Sequence, residues 1–305
     1  MDYFRAKRFL DTLPDWETGT PPSGPLADYL PRMRALLARL DHPQHAFHTL
    51  IVGGTNGKGT VSSLVASLAQ HAGRRVGLYT SPHLHTQRER IRINGEILDK
   101  DDWAEAVSAL YDATRDFERE ELGAFSKFEA LTALAALFFS KAQVEWAVFE
   151  VGLGGRYDAT NAWDSRAAIL TRIGLDHVDI IGHTIEEIAA DKVHIARSGC
   201  PLFTTASQAP GVTKILQNTC DKRDIALHTA PVFPHHARTA YYAENASLAL
   251  TAARHLDLAP APPSDERLIA EHVWPGRFEQ ASTDPLVILD GAHNPQAARE
   301  LAGSL

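Results

Sequence analysis

The chain has 305 residues, 44% hydrophobic and 22% charged, with a net charge of −8. That length allows one large domain or two smaller ones, the composition is that of an ordinary globular protein, and the acidic balance without a basic stripe argues against nucleic acid as a partner. Two cysteines, Cys200 and Cys220, are too few for a disulfide framework and are not spaced as zinc ligands, so a reducing cytoplasm is the expected compartment. The opening MDYFRAKRFLDTLPDW is broken by charge and has no apolar core, unlike a signal peptide, and no segment approaches a membrane span.

In chain order, a short N-terminal helical segment precedes a strand expected at 49–52, which runs into the glycine-rich turn GGTNGKGT. Val61, Leu64, Val65, Leu68, Ala69 and Ala72 follow i, i+3, i+4, i+7 spacing, which predicts a helix that Gly73 can end. Further strands are expected at 75–79, 147–151, 167–173, 201–206 and 225–229. Between the last three, Thr184-Ile185-Glu186-Glu187 has the pattern of a capping box and opens a helix to about Arg197. This alternation predicts an α/β fold with a mainly parallel sheet and flanking helices. Prolines crowd APAPPSDE at 259–266, a linker composition. LVILD at 286–290 then opens what reads as a second α/β unit. The expected organisation is 1–258 as one domain, 259–270 as a linker and 271–305 as the start of an incomplete second domain, with the LVILD strand edges unpaired.

The turn fails the pattern G-x-x-x-x-G-K-[ST] twice, at Val52 and at Gly59. Its mechanics survive. Four glycines let backbone N–H groups converge, the following helix aims its positive end at the same point, Lys58 supplies a charge for phosphate oxygens, and Thr60 a hydroxyl. The bland alternative is a glycine-rich βα turn, which a lysine inside the turn disfavours.

GTNGKGT (54–60), YTSPHLHTQRERIRINGE (79–96), FEVGLGGRYDATN (149–161), TRIGLDHVDIIGHTIEEIAADK (171–192), WPGRFE (274–279) and LDGAHNP (289–295) resemble, in order, segments of the folylpolyglutamate synthase/dihydrofolate synthase family of the Mur ligase superfamily. The glycine after the loop lysine matches that branch. The resemblance implies a Mur-ligase-type ATP-binding central domain followed by a Rossmann-like C-terminal domain, of which this chain carries the beginning. It implies an ATP- and Mg²⁺-dependent ligase that adds L-glutamate to dihydropteroate or reduced folates through an acyl phosphate, acting as a cytoplasmic monomer.

Residue by residue, the resemblance implies ATP contacts from Gly54, Thr55, Asn56, Gly57, Lys58, Gly59, Thr60, Asn245 and Arg277. It implies metal ligation by Ser81, Glu150, His177 and Lys192, the lysine as a carbamate formed with CO₂. Catalytic contributions are expected from Lys58, His177, Lys192, Asp290 and His293, and acceptor contacts from Ser81, His83, Arg90, Asp158 and Ala159. The sequence Asp191-Lys192-Val193-His194 departs from the family's usual Glu-Lys-Ala-Gly. Structural alternatives exist for all four ligands: Ser81 in a plain Ser-Pro turn, Glu150 paired with Arg156, His177 as a surface loop histidine, and Lys192 as an exposed helix lysine pairing with Glu187 or Asp191. Two other functional readings are a truncated ATP- or folate-binding protein without ligase activity, which would lack closure over ATP, and a Mur-type ligase acting on a peptide precursor.

Overall fold

The computed structural model describes residues 1–15, 17, 19, 25–117, 123–233 and 239–305; the His235-His236 pair, unassigned from sequence, lies outside them. Two helices come first, α1 (Tyr3–Asp11), capped by Asp2, whose side chain accepts from Arg5 N, and α2 (Tyr29–Ala38). The strand β1 (His48–Gly53) follows and leads through the glycine loop into α3 (Lys58–His71). Next come β2 (Val76–Tyr79), the short β3 (Ile91–Ile93) and β4 (Glu96–Ile97), α4 (Lys100–Ala113), α5 (Lys127–Lys141), β5 (Trp146–Glu150) and β6 (Ala167–Leu170). The chain continues with α6 (Ile185–Lys192), β7 (Leu202–Thr205), α7 (Pro210–Arg223), β8 (Leu227–Ala230) and α8 (Ala240–His255).

The strands form one sheet in the order β4-β3-β2-β5-β1-β6-β7-β8, parallel from β2 through β8, with β3 and β4 antiparallel at one edge. A parallel sheet needs cover on both faces, and the period-2 alternation of the strands supplies it. Leu50 and Val52 of β1, Leu78 of β2 and Val148 of β5 face α3 and α8. Ile51 faces the other way, toward Ile188 of α6 and Leu216 of α7, while Tyr79 and Phe149 pack with α1, α2, α4 and α5. The Thr184 capping box forms as the pattern predicts, with Thr184 Oγ1 accepting from Glu187 N at 3.2 Å and Glu187 Oε2 accepting from Thr184 N at 3.1 Å.

Three expectations change. The helix predicted to reach Arg197 ends at Lys192, because Val193 and Ile195 turn into the core and tighten the chain into a 3₁₀ turn over Val193–Ile195. The 259–270 linker contains a helix, α9 (Ser264–Glu271), anchored by buried Ile269 and by buried Asp265, which accepts from Arg254 Nε at 2.8 Å. The LVILD segment is not unpaired: β10 (Leu286–Leu289) pairs antiparallel with β9 (Glu279–Thr283), although Leu286, Val287 and Leu289 remain exposed. The helix α10 (Pro295–Ala302) closes the chain.

Candidate active site

Loops leaving the carboxyl ends of β1, β2, β5 and β6 line one cavity of about 750 Å³, where open α/β sheets place their sites. Gly54 (φ +132°) and Gly57 (φ +86°) turn the loop. A Cβ on Gly54 would lie 1.9 Å from Thr171 Oγ1, and one on Gly57 would lie 2.4 Å from Asn245 Oδ1. Thr55 Oγ1 donates to Gly174 O at 3.1 Å and accepts from Gly174 N at 3.0 Å, while Lys58 Nζ donates to Thr55 O at 3.1 Å. No side chain caps α3, so its first-turn N–H groups and the Lys58 charge form an anion seat. Gly54→Ala combines a left-handed backbone with a clash and should cost about 3 kcal/mol or more. Thermal melts with and without ADP should show both a lowered midpoint and a lost nucleotide-dependent shift; wild-type values in both would contradict this packing.

The unusual glycine after the lysine has a steric reason. A Cβ on Gly59 would lie 3.2 Å from Trp274 Nε1 and 3.6 Å from both oxygens of Glu150. The missing side chain leaves room for a carboxylate beside the loop.

Glu150 ends β5 at 4% exposure. It does not pair with Arg156, whose Nη2 lies 2.9 Å from His194 Nε2; its Oε2 accepts from Ser81 N at 2.9 Å. Burial pushes the Glu150 carboxyl up, opposed by Lys58, the Ser81 N–H, Arg277 and Arg90. A desolvated carboxylate facing a phosphate seat, with the Ser81 hydroxyl residue next to it, has the donor chemistry that a hard divalent cation takes. Among the described residues no three His, Cys, Asp or Glu gather into a metal cage.

His177, in the loop after β6, has φ +49° and a side chain 47% exposed, with Nε2 3.8 Å from Asp176 Oδ2. Burial lowers its pKa, Asp176 opposes this, and the charges of Lys192, Lys58 and His293 add to the lowering. Those residues share one electrostatic neighbourhood.

Lys192 is not the exposed helix lysine of the alternative reading: it is 3% exposed, while Glu187 is occupied in the Thr184 capping box. The turn at Gly155 lies directly on it, since a Cβ there would sit 2.7 Å from Lys192 Cα. Its Nζ reaches Gly154 O at 3.5 Å. Burial first, and Lys58 second, push its pKa down to about 7.

The expected acceptor residues also line or border the cavity. Arg90, 2% exposed, donates from Nε to His83 Nδ1 at 2.9 Å and pairs through Nη2 with Glu17. His83 therefore carries any ring proton on Nε2 when neutral. The carboxylate of Asp158 accepts four hydrogen bonds, from Gly152 N, Leu153 N, Thr160 N and Thr160 Oγ1. That leaves it as an organiser of the 152–161 loop, with Ala159 buried beside it. Asp290 accepts from Phe278 N, Ala292 N and Tyr241 OH, and Arg277 packs on Gly291. His293 lines the cavity, exposed. Sequence reasoning missed Tyr29, Phe128, Asp176, Tyr241, Trp274 and Asn294. Asp176, Trp274 and Asn294 stand inside quoted segments, but no local pattern marks Tyr29, Phe128 or Tyr241.

No protein-family model matches the chain. It is 34% identical over 308 residues to the dihydrofolate synthase/folylpolyglutamate synthase of Bacillus subtilis, covering 90% of this chain and 71% of that protein. Among solved structures it resembles an FPGS–AMPPCP–folate complex (28% identity, TM-score 0.89, 100% of this chain and 80% of that one). It also resembles the Mycobacterium tuberculosis folylpolyglutamate synthase complexed with ADP (30% identity, TM-score 0.88, 99% and 73%).

Proposed function

The chain belongs to the dihydrofolate synthase/folylpolyglutamate synthase family, and from that premise we propose that it is an ATP-dependent ligase joining L-glutamate to dihydropteroate or a reduced folate. The observation that carries this reading is the convergence of the glycine loop, buried Glu150 and His177 on one cavity, with buried Lys192 directly behind the Gly154-Gly155 turn that lines it.

A carboxylate is a poor electrophile, so it must be activated before an amine can attack. The loop N–H groups and Lys58 hold the triphosphate, and Asn245 sits against the loop at Gly57, next to the nucleotide. Bound Mg²⁺ would neutralise phosphate charge. Ser81, Glu150 and His177, with Lys192 as a carbamate, are the residues that would hold it. With the γ-phosphate so fixed, the acceptor carboxylate attacks phosphorus in line, giving an acyl phosphate and ADP. The amine of glutamate then attacks the acyl carbon, phosphate leaves, and an amide forms with loss of a proton. Arg277, Arg90 and His293 offer positive or hydrogen-bonding groups around these anions. Tyr29, Phe128 and Leu131 give the cavity an apolar wall suited to a flat ring system.

In this reading residues 1–258 are the ATP-binding unit, 259–270 the connection, and 271–305 belong to the second ligase unit. The substrates are small molecules. The protein works as a cytoplasmic monomer without nucleic acid or membrane partners, in keeping with the net charge of −8 and with no described helix long and apolar enough to cross a membrane.

The test is product mass after incubating the purified chain with Mg-ATP, glutamate and, separately, dihydropteroate or tetrahydrofolate. An ATP-dependent gain of one glutamate residue establishes the ligase, and the acceptor that gains it names the activity. ATP binding with no gain on either acceptor would favour the binding-only reading.

A further inference from the structure

Helix α10 has no buried residue, so apolar burial does not hold it against the rest of the protein. What holds it is polar, and most of it converges on one side chain. Asn294 is 7% exposed and is the N-cap of α10. Its Oδ1 accepts from Ala297 N at 2.9 Å and from Asn56 Nδ2 at 3.1 Å. Its Nδ2 donates to Asn56 Oδ1 at 2.9 Å and to Asp176 Oδ2 at 3.4 Å. All four hydrogen-bonding positions of the amide are thus used.

The three elements so joined are 118 and 238 residues apart in the chain from Asn294. They are the tip of the glycine loop, the Asp176-His177 turn and the turn that carries His293. Asp176 is itself fixed to that turn, because its Oδ1 accepts from His177 N at 3.1 Å. Further along α10, Glu300 Oε1 accepts from Arg172 Nη1 at 3.2 Å, and Gln296 packs against Gly174. The helix therefore lies along the 172–176 loop, whose residues Arg172 and Gly174 also hold Thr55 of the glycine loop.

We infer that Asn294 is a positioning residue: with Asn56 it forms a reciprocal amide pair that seats α10 and the His293 turn on the nucleotide loop, so that filling the loop and seating that segment are energetically coupled. The inference rests on the reading of residues 54–60 as an ATP loop. The physical reason is linkage. A loop ordered by phosphate presents Asn56 in one orientation, and a part-buried reciprocal amide pair tolerates few others, so each event favours the other. Asn294 touches no reacting atom. It acts through the geometry of Asn56, Asp176 and His293.

The variant that isolates this role is Asn294→Asp. Aspartate remains a good N-cap and still accepts from Ala297 N, but it replaces the Nδ2 donor with an acceptor facing Asn56 Oδ1 and Asp176. The helix stays capped and the acceptor for Asn56 Nδ2 remains, but the two bonds donated by Nδ2 are lost and replaced by repulsion from Asn56 Oδ1 and Asp176, so the link is weakened.

The experiment is hydrogen exchange on the full chain with and without Mg-ADP. In the wild type, ADP should protect both the first turn of α3 and residues 295–302. In Asn294→Asp, protection at α3 should persist while protection at 295–302 is lost. With turnover as a second readout, kcat should fall about 10- to 100-fold with a smaller rise in the KM for ATP, because the coupling is reciprocal. Wild-type protection of 295–302 in Asn294→Asp overturns the inference, as does a wild type in which ADP protects α3 but never α10. Absence of ADP protection at α3 in the wild type would overturn the nucleotide reading itself, and this inference with it.

Discussion

Replacing Glu150 with glutamine should lower ligase turnover by about 10³-fold or more while leaving the apo protein as stable as before or more so. The two effects separate because the carboxylate is held against its own preference. It is 4% exposed and burial raises its pKa. A carboxyl raised in the folded state contributes stability that is full below its unfolded pKa and is lost as pH rises through the folded value. Above its unfolded value the carboxyl is therefore a liability to the fold, and an amide of the same shape removes it. The amide also removes the anionic oxygen that faces the phosphate seat, so the loss falls on metal and transition-state charge rather than on packing. Melting curves with and without Mg-ADP, run beside the product assay, check this. The wild type should gain a ligand-dependent shift that the variant lacks. A variant that retained turnover within tenfold would remove Glu150 from the metal site.

Lys192 should be the second position of large effect: Lys192→Ala is expected to lose about 10²-fold in turnover or more, and wild-type turnover should depend on CO₂. Burial and the neighbouring Lys58 bring its pKa down to about 7, so at slightly alkaline pH most of the amine is neutral and nucleophilic. Attack on CO₂ forms the N–C bond and releases one proton to solvent. The product is an anion close to Lys58 where a cation had been repelled, with oxygens able to bind Mg²⁺. At fixed CO₂, adduct and turnover should both rise with pH through about 7.

Without CO₂ the same group has a stability signature. The folded state binds fewer protons than the unfolded state between about 7 and 10.5, so stability should rise with pH across that window. Depleting CO₂ and restoring bicarbonate, with native mass measured in parallel, tests the chemistry. A chain that shows no CO₂ adduct in CO₂-rich buffer, with Lys192→Ala fully active, would end the proposal.

Several parts of this site are legible in the linear chain because their physics is local. A phosphate loop needs glycines, a lysine and a helix start within a few residues, and 54–60 supplies them. The capping box at Thr184 spans four residues, and the apolar faces of β1 and α3 follow from period. The order of the strands does not follow from their sequence order. β5 inserts between β2 and β1, and that insertion is what puts Glu150 beside Ser81 and the loop.

Chain order and local pattern were enough to specify an α/β fold and a phosphate loop, since backbone propensity, capping and phosphate chemistry act over a few bonds, while the other residues of an ATP-using ligase site came from the resemblance to the family. Burial and long-range pairing set everything that makes those residues reactive. Lys192 keeps an alternative reading as a solvated helix lysine until Gly155 packs on it. Asp158 reads as a free ligand until four donors saturate it. Asn294 carries no local mark of its role, since Asn56 meets it from 238 residues away. Desolvation and hydrogen-bond saturation depend on which distant segments close over a group, and no window of sequence contains them.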